Sequence, residues 1–273
     1  MSEAEDTQRV TVSIENGVAD VRLNRPDKMN ALDSAQFEAL HSAAQQLAAD
    51  ASVRAVVLSG EGRAFCAGLD FSGFESMAGN GDGASRLGDV DDGRITHYAQ
   101  QAVYGFSELR VPVIAAITGV ALGAGIQLAL GADIRFIAPD AKMSVLEIRW
   151  GIVPDMTGTR RLSELVGMDV AKELVWTGRM VEGAEAVQLG LATRLADDPH
   201  AAAMELAREI ASKSPHAVQA GKRLVNAAMQ LDDAAGFAAE RAEIGALVGS
   251  PNQVESVMAY FEQRTANYAD PEL

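Results

Sequence analysis

Two short apolar segments, each followed by a turn of small residues, constrain the fold of this chain more than any other feature. They are Val53–Leu58, in which only Arg54 is polar, and Val113–Ile117. Segments of this kind are typical of strands that are buried on both faces of a sheet. A sheet that is buried on both faces needs helices to cover it. The sequence therefore predicts the α/β fold class.

A hairpin and a helix precede the first of these strands. Val10–Ile14 and Ala19–Leu23 alternate apolar with polar residues, and the Asn-Gly pair at 16–17 between them accepts the positive φ of a tight turn. The pattern after this hairpin predicts a helix that is capped by Asp33 or Ser34.

Strands and helices continue to alternate as far as Thr157. We expect a helix over Tyr98–Leu109, a glycine-rich turn leading into an apolar helix over Gly119–Ala132, a strand over Ile134–Ala138 and an extended piece near Met143–Val145. Past Thr157 the pattern is almost entirely helical. We assign residues 1–198 to an α/β core and residues 199–273 to a C-terminal helical region.

Residues 72–93 differ from the rest of the core. They are rich in glycine and aspartate and contain few large apolar side chains, which predicts a long loop. Long loops inside a compact domain are usually functional or disordered.

Composition excludes several classes of partner. The 273 residues carry a net charge of −15, which argues against nucleic acid as the main partner. The N-terminal segment is acidic and polar, unlike a secretory signal, and no apolar run reaches about 18 residues, so we expect no membrane span. The single cysteine fits a cytoplasmic protein.

Several chemistries lack the residues that they need. No zinc-binding motif, phosphate loop or G-x-S-x-G motif is present, and Leu128 stands where a dinucleotide fingerprint needs its third glycine. Cys66 is interpreted as a packing residue rather than a nucleophile. The four histidines show no metal-ligand spacing: His41, His97, His200 and His216.

The two small-residue turns, Gly62–Asp70 and Gly119–Gly125, share one architecture. Each follows a buried strand, and small residues let the main chain approach a ligand closely. Two such turns side by side can direct backbone N–H groups at one oxygen, which forms an oxyanion hole. The alternative is that these glycines only permit tight turns and close helix packing.

Five motifs follow one another along the chain. They are Asn24-Arg25-Pro26 with Asn30-Ala31-Leu32, then Phe65-Cys66-Ala67-Gly68-Leu69-Asp70, Pro112–Ala116 with Gly119–Gly125, Asp133-Ile134, and Gly158–Leu162. These motifs resemble those of the crotonase (enoyl-CoA hydratase/isomerase) superfamily, in the same order, and the resemblance covers about residues 10–195.

This resemblance implies a superhelix of ββα units whose C-terminal helical region forms trimer contacts, in a homotrimer or a dimer of trimers. It implies an acyl-CoA thioester as substrate and no permanently bound cofactor. The N–H groups of Leu69 and Ala124 would form the oxyanion hole, and the 72–93 loop would help to shape the acyl pocket. The residues that would lie along CoA are Arg25, Lys28, Ala31, Ala67, Gly68 and Asp70.

Three side chains bear on the reaction. Related hydratases use two glutamates, and this chain has Gln127 at the first position and Glu147 at the second. Asp155 matches an aspartate of dienoyl-CoA isomerases, although those carry an acidic residue at the Gln127 position. Glu147 can otherwise be a surface or ion-paired residue, Asp155 a helix cap before Thr157, and Gln127 a water-orienting or packing residue.

A single retained carboxylate favours double-bond isomerisation, because a proton shift needs one base whereas hydration must also deliver water. The alternatives are a hydratase in which Gln127 positions the water, and a CoA-ester binding protein without chemistry. The crowded apolar residues of the tail should bury a face against another part of the fold or against a neighbouring subunit. They are Val254, Val257, Met258, Tyr260 and Phe261.

Overall fold

Six strands form the main sheet of the computed structural model, which describes residues 8–70, 90 and 93–273. Their order is β1-β2-β3-β4-β6-β9. The β1–β2 pair is an antiparallel hairpin, and every later pair in this sheet is parallel. The strands of the main sheet are β1 (Val10–Glu15), β2 (Val18–Leu23), β3 (Ala55–Gly60), β4 (Val113–Ile117), β6 (Ile134–Ile137) and β9 (Arg194–Leu195).

A smaller sheet, in the order β5-β7-β8, continues from the second glycine-rich turn. Its strands are β5 (Val120–Leu122), β7 (Lys142–Ser144) and β8 (Val181–Glu182). Two 3₁₀ helices, Pro26–Lys28 and Leu146–Trp150, carry candidate site residues. The α-helices in the described ranges are α1 (Ser34–Ala48), α2 (Tyr98–Glu108), α3 (Ala124–Leu130), α4 (Gly158–Val166), α5 (Met168–Thr177), α6 (Gly183–Leu189), α7 (Pro199–Ala211), α8 (Pro215–Ala228), α9 (Asp233–Leu247) and α10 (Pro251–Glu262).

Both faces of the main sheet are buried, as the apolar strands predict. Val56 and Leu58 of β3 face a core that includes side chains of α1, α2 and α3. Ala55 and Val57, which alternate with them along the strand, face a second core. That second core is closed by α7, whose alanines at 203, 207 and 211 are spaced by four residues and so share one helical face.

Most of the predicted elements are confirmed. The hairpin pairs Val12 with Val21, and both residues of its Asn-Gly turn have positive φ. Asp33 caps α1 by accepting a hydrogen bond from Gln36 N at 2.8 Å. The first buried strand begins at Ala55 rather than Val53, because Arg54 N and Ala55 N both donate to Gly17 O in the turn that precedes the ladder.

Other predictions about the fold have different outcomes. Apart from Val90 and Gly93, the predicted loop at 72–93 lies outside the described residues. In the part of the chain that the structure describes, no helix is long and apolar enough to cross a bilayer. The apolar tail residues are not buried within the chain, since their exposed fractions range from 41% at Val257 to 79% at Tyr260. Of the two predicted alternatives for this face, burial against another part of the same chain is therefore wrong.

Candidate active site

The two small-residue turns lie in direct contact. Cys66 N donates to Val120 O at 3.0 Å, and Leu122 N donates to Cys66 O at 3.0 Å, so the first turn pairs with β5. Gly68 follows with φ +97, and a Cβ atom at this position would lie 2.7 Å from Leu122 O. Glycine is therefore required there by both the backbone conformation and the close approach of the second turn.

The N–H groups of Leu69 and Ala124 are available to a ligand. Ala124 is the first residue of α3, where an N–H has no intrahelical acceptor. Around Leu69 the chain pairs with Leu32 through the neighbouring groups, Gly68 O and Asp70 N, which leaves Leu69 N outside that ladder. Among the described residues neither amide has an acceptor, and both residues line the same cleft.

Glu147 lies on the 3₁₀ helix at 146–150 and is only 6% exposed. Its Oε1 accepts a hydrogen bond from Gln127 Nε2 at 2.6 Å, whereas its buried Oε2 has no hydrogen-bond partner in the described ranges. A Cβ atom at Gly123 would lie 3.6 Å from Oε1, so the carboxylate sits against the second turn. A buried acceptor without a partner is unfavourable by roughly 1–3 kcal/mol, which points to a functional reason for its presence.

Burial raises the pKa of Glu147 above its ordinary value. Hydrogen bonds from its own backbone and from Gln127 act in the opposite direction, and the negative charge of Asp155 raises the pKa further. A carboxylate with a raised pKa is a stronger base than an exposed one, which suits it to proton transfer.

Gln127 has its amide oriented by the protein itself. Its Oε1 accepts from Met156 N at 2.8 Å and Gly158 N at 3.2 Å, and its Nε2 donates to Glu147. The side chain is 2% exposed, and a Cβ atom at Gly158 would lie 2.6 Å from Gln127 Cγ. Of the two sequence interpretations, packing against the helix turn is closer to the structure. The contact with Glu147, however, could not be seen in the sequence.

Asp155 lines the same cleft as Glu147 and is exposed. Helix α4 begins at Gly158 with Thr157 as its N-cap, and no side-chain oxygen caps it. The interpretation of Asp155 as a helix cap is therefore wrong. A second carboxylate does lie at the site, but on a different segment from Gln127.

The cleft around these groups is largely apolar. Leu69 comes from the first turn, and Leu146, Trp150, Ile152 and Met156 come from the segment that carries Glu147. The remaining lining residues are Ala67, Gly68, Gly123, Ala124, Gln127, Glu147 and Asp155.

The predicted CoA-binding residues lie on two joined segments, 25–32 and 66–70. Ala67 N donates to Met29 O at 2.9 Å, and the ladder between Leu32 and Leu69 continues the pairing towards Asp70. Ala31 accepts from Arg25 Nη1 at 3.0 Å through its carbonyl oxygen. The structure therefore brings Arg25, Ala31, Ala67, Gly68 and Asp70 together beside the first turn.

The two cations of this patch differ in their surroundings. Arg25 is paired with Asp70 at 2.5 Å and with Asp33 at 3.5 Å, and its side chain is 12% exposed. Lys28 ends the 3₁₀ helix at 26–28, is exposed, and has no ion-pair partner among the described residues. Lys28 is therefore the freer of the two to meet a phosphate, while the charge of Arg25 is already compensated.

Asn30 organises this patch, a role that sequence reasoning did not assign to it. The residue is fully buried with φ +57; its Oδ1 accepts from Arg25 N, and its Nδ2 donates to Glu61 O and Ala64 O. An asparagine in the turn that follows Arg25-Pro26 was the available signal, because asparagine tolerates positive φ.

Cys66 is confirmed as a packing residue. It is fully buried, its Sγ donates to Asn30 O, and burial raises the pKa of its thiol to about 12. A thiol in this environment stays protonated at neutral pH and is a poor nucleophile.

Comparison with known proteins identifies the family. The sequence profile of the enoyl-CoA hydratase/isomerase family matches residues 13–271. The chain is 33% identical over 263 residues to the short-chain-enoyl-CoA hydratase of Clostridium acetobutylicum, covering 95% of this chain and 97% of that protein. It is 32% identical over 259 residues to the mitochondrial methylglutaconyl-CoA hydratase of Mus musculus, covering 92% of this chain and 79% of that protein.

Solved structures agree with this assignment. The enoyl-CoA hydratase of Bacillus anthracis matches with a TM-score of 0.86 and 32% identity, over 96% of this chain and 99% of that chain. The enoyl-CoA hydratase of Mycobacterium tuberculosis matches with a TM-score of 0.84 and 30% identity, over 96% and 99%. The chain belongs to the enoyl-CoA hydratase/isomerase family and has the crotonase fold.

Proposed function

We propose that this chain moves the double bond of an enoyl-CoA, with Glu147 as the base and the N–H groups of Leu69 and Ala124 as the oxyanion hole. The observation that carries the proposal is the arrangement of Glu147. Its Oε1 is held by Gln127, its Oε2 is buried without a partner in the described ranges, and the side chain lines the cleft that contains both amides.

The proton shift proceeds through an enolate. The Glu147 carboxylate takes a proton from C2 of a 3-enoyl-CoA, and the electrons of that C–H bond move onto the thioester oxygen. The two N–H groups stabilise this charge, and losing one such donor typically lowers kcat by about 10²–10³-fold. Glu147 then returns the proton to C4, so the double bond between C3 and C4 is lost and one between C2 and C3 forms.

Hydration of a 2-enoyl-CoA is the second candidate. The names of the similar proteins reported above favour it, since those proteins are hydratases. In this chain the Gln127 carbonyl oxygen already accepts two backbone N–H groups, and its amide group donates to Glu147. Water activation would therefore rely on Glu147, with Asp155 as the second carboxylate of the cleft.

The substrate enters the proposal as a CoA thioester, with no permanently bound cofactor. CoA would lie along Arg25, Lys28, Ala31 and the turn from Ala67 to Asp70. In the described ranges, no group of three or more His, Cys, Asp or Glu residues could hold a metal ion.

The assembly and the domain division are also proposals. Residues 1–198 would form the catalytic core, and residues 199–273 would supply contacts for a homotrimer or a dimer of trimers. A cytoplasmic location stays a prediction, because the similar proteins include both bacterial and mitochondrial ones.

Incubation of the purified protein with 2-enoyl-, 3-enoyl- and dienoyl-CoA substrates tests the proposal, with products identified by mass and absorbance. We expect double-bond migration without a mass change. Rapid hydration of 2-enoyl-CoA with no migration would favour the hydratase. Tight binding of acyl-CoA with no reaction of any substrate would favour a binding protein that has lost the chemistry.

A further inference from the structure

We infer that the cleft selects an uncharged acyl chain, and that Asp155 is the residue that rejects acyl chains bearing a carboxylate. The inference rests on the proposed function for one point only, namely that the acyl chain of a CoA thioester enters the cleft between the two turns and the 146–156 segment.

The walls of the cleft provide apolar surface for such a chain. Leu69, Leu146 and Met156 line it, and Met156 is almost fully buried. Trp150 and Ile152 also line it while keeping 49% and 39% of their surfaces exposed. Large apolar side chains that remain accessible beside a cleft are typical of sites that cover an apolar ligand.

The charges of the cleft are all negative. Among the described lining residues the only ionisable groups are Glu147 and Asp155, and no Lys, Arg or His is present. Arg160 and Arg161 on α4 both pair with Glu164, and Arg149 on the 146–150 helix is exposed and does not line the cleft. A carboxylate on the acyl chain would therefore meet two like charges and no counter-ion within this lining.

Asp155 is the member of this pair that can act on specificity. Glu147 is buried and hydrogen-bonded to Gln127, whereas Asp155 is exposed, lines the cleft and forms no ion pair within the described ranges. Its influence reaches the site, because its charge contributes to the raised pKa of Glu147. Repulsion between two charges several ångströms apart, in a partly desolvated cleft, is enough to change an affinity by about tenfold.

The test uses two saturated ligands that bind without reacting and differ only at the chain end. Pentanoyl-CoA ends in a methyl group, and glutaryl-CoA replaces that methyl with a carboxylate. Calorimetric titration should show that the wild-type protein binds pentanoyl-CoA at least about tenfold more tightly. Asp155→Asn should reduce this preference to within roughly threefold, and Asp155→Lys should reverse it. Asp140→Asn, which removes an exposed aspartate outside the cleft, is the matched control and should leave the preference unchanged.

Each outcome decides the inference. Equal affinities in the wild type, or a preference that persists in both Asp155 variants, would overturn it while leaving the proposed function intact. Failure of both ligands to bind would overturn the inference together with the proposed function. If the Asp140 control also loses the preference for pentanoyl-CoA, the preference depends on the net charge of the protein rather than on Asp155. That result would also overturn the inference.

Discussion

The contacts of the Glu147 side chain hold its carboxylate in a conformation that suits proton transfer. Gln127 fixes Oε1, two backbone N–H groups fix Gln127, and Gly158 leaves the space that Gln127 occupies. This chain of contacts orients the carboxylate without neutralising it, because an amide supplies a hydrogen bond but no positive charge. The result is a buried base with a raised pKa next to the candidate oxyanion hole.

Replacing Glu147 with glutamine should stabilise the folded protein at neutral pH. The folded-state pKa lies above the unfolded value, so the folded state loses stability as the pH rises from the unfolded pKa to the raised folded-state pKa. The gain in melting temperature should be present at pH 7 and should shrink as the pH falls towards about 4.5, where the unfolded glutamate also becomes protonated. Thermal unfolding of both proteins across this range checks the sign. A variant that is less stable at pH 7 and equally stable at pH 4.5 would contradict it.

Gln127→Glu should place two carboxyl groups in contact. One oxygen of the new side chain keeps the bonds from Met156 N and Gly158 N, and the other lies where Nε2 now contacts Glu147 Oε1 at 2.6 Å. Two carboxylates this close share a proton, which supplies an acid beside the base. We expect the ratio of hydration to double-bond migration to rise, measured on 2-enoyl- and 3-enoyl-CoA. Gln127→Met, which has a similar size and no hydrogen-bonding amide, is the control, and an equal rise there would contradict the account.

The sequence was most informative at the residue scale where a motif fixed a backbone position. Leu69, Ala124 and Glu147 line one cleft, as the resemblance implied. The partners of Gln127 were not predictable, because Met156 and Gly158 lie 29 and 31 residues away and contribute only backbone N–H groups. A backbone donor leaves no signature in the side-chain sequence.

At the scale of elements, the candidate CoA patch depends on hydrogen bonds and ion pairs between the 25–32 segment and the loop that follows β3. Asn30 ties the 25–32 segment to the loop after β3, and Arg25 bridges Asp33 and Asp70. Arg25 therefore has a structural role here in addition to any contact with CoA, whereas Lys28 projects from the patch without an ion-pair partner in the described ranges.

Substitutions of Arg25 and Lys28 should both weaken CoA binding, but they should differ in their effect on the melting temperature. Lys28→Ala should lower the affinity more at low salt, where screening is weakest, and leave the melting temperature unchanged. Arg25→Ala should also lower the melting temperature, because it removes the cation that bridges Asp70 to Asp33, while Arg9 continues to pair with Asp33. CoA titrations at several salt concentrations and thermal unfolding separate the two effects. Lys172→Ala, on the exposed face of α5, is the charge-matched control. If the Lys28 variant binds CoA as tightly as this control at every salt concentration, Lys28 is not part of the CoA site.

Element prediction succeeded where periodicity was long enough to be distinctive. The hairpin, α1 and β4 lie where their patterns place them. β5 was not foreseen, because Val120–Leu122 has only three residues and lies between two glycines, where the sequence indicates a turn. Its extended conformation depends on pairing with β7, through Ala121 and Met143. That is a tertiary contact.

At the scale of the whole molecule, the C-terminal helices leave apolar surface uncovered. No residue of α9 is buried, and Phe237 and Ile244 on it are 56% and 57% exposed. On α10, Phe261 is 76% exposed. Apolar surface on this scale is typical of an interface between subunits.

This surface predicts that the protein associates at micromolar concentration, and the family resemblance implies a trimer or a dimer of trimers. Light scattering should give at least three times the 28.8 kDa chain mass. Phe261→Glu should reduce that mass, since it places a charge on the apolar face of α10. Thr265→Glu, which adds the same charge at an exposed position just beyond α10, should not. A stable wild-type monomer would contradict this assembly.

The most direct test of the account is the turnover of Glu147→Gln compared with its affinity for a non-reacting ligand. The amide keeps the shape of the side chain but cannot take a proton, so kcat on the best substrate should fall by about 10²–10⁴-fold. The dissociation constant for pentanoyl-CoA should stay within roughly twofold of the wild-type value, because the candidate oxyanion-hole amides and the candidate CoA patch are unchanged. A variant that retains kcat within about tenfold of the wild type would contradict the assignment of Glu147 as the proton carrier.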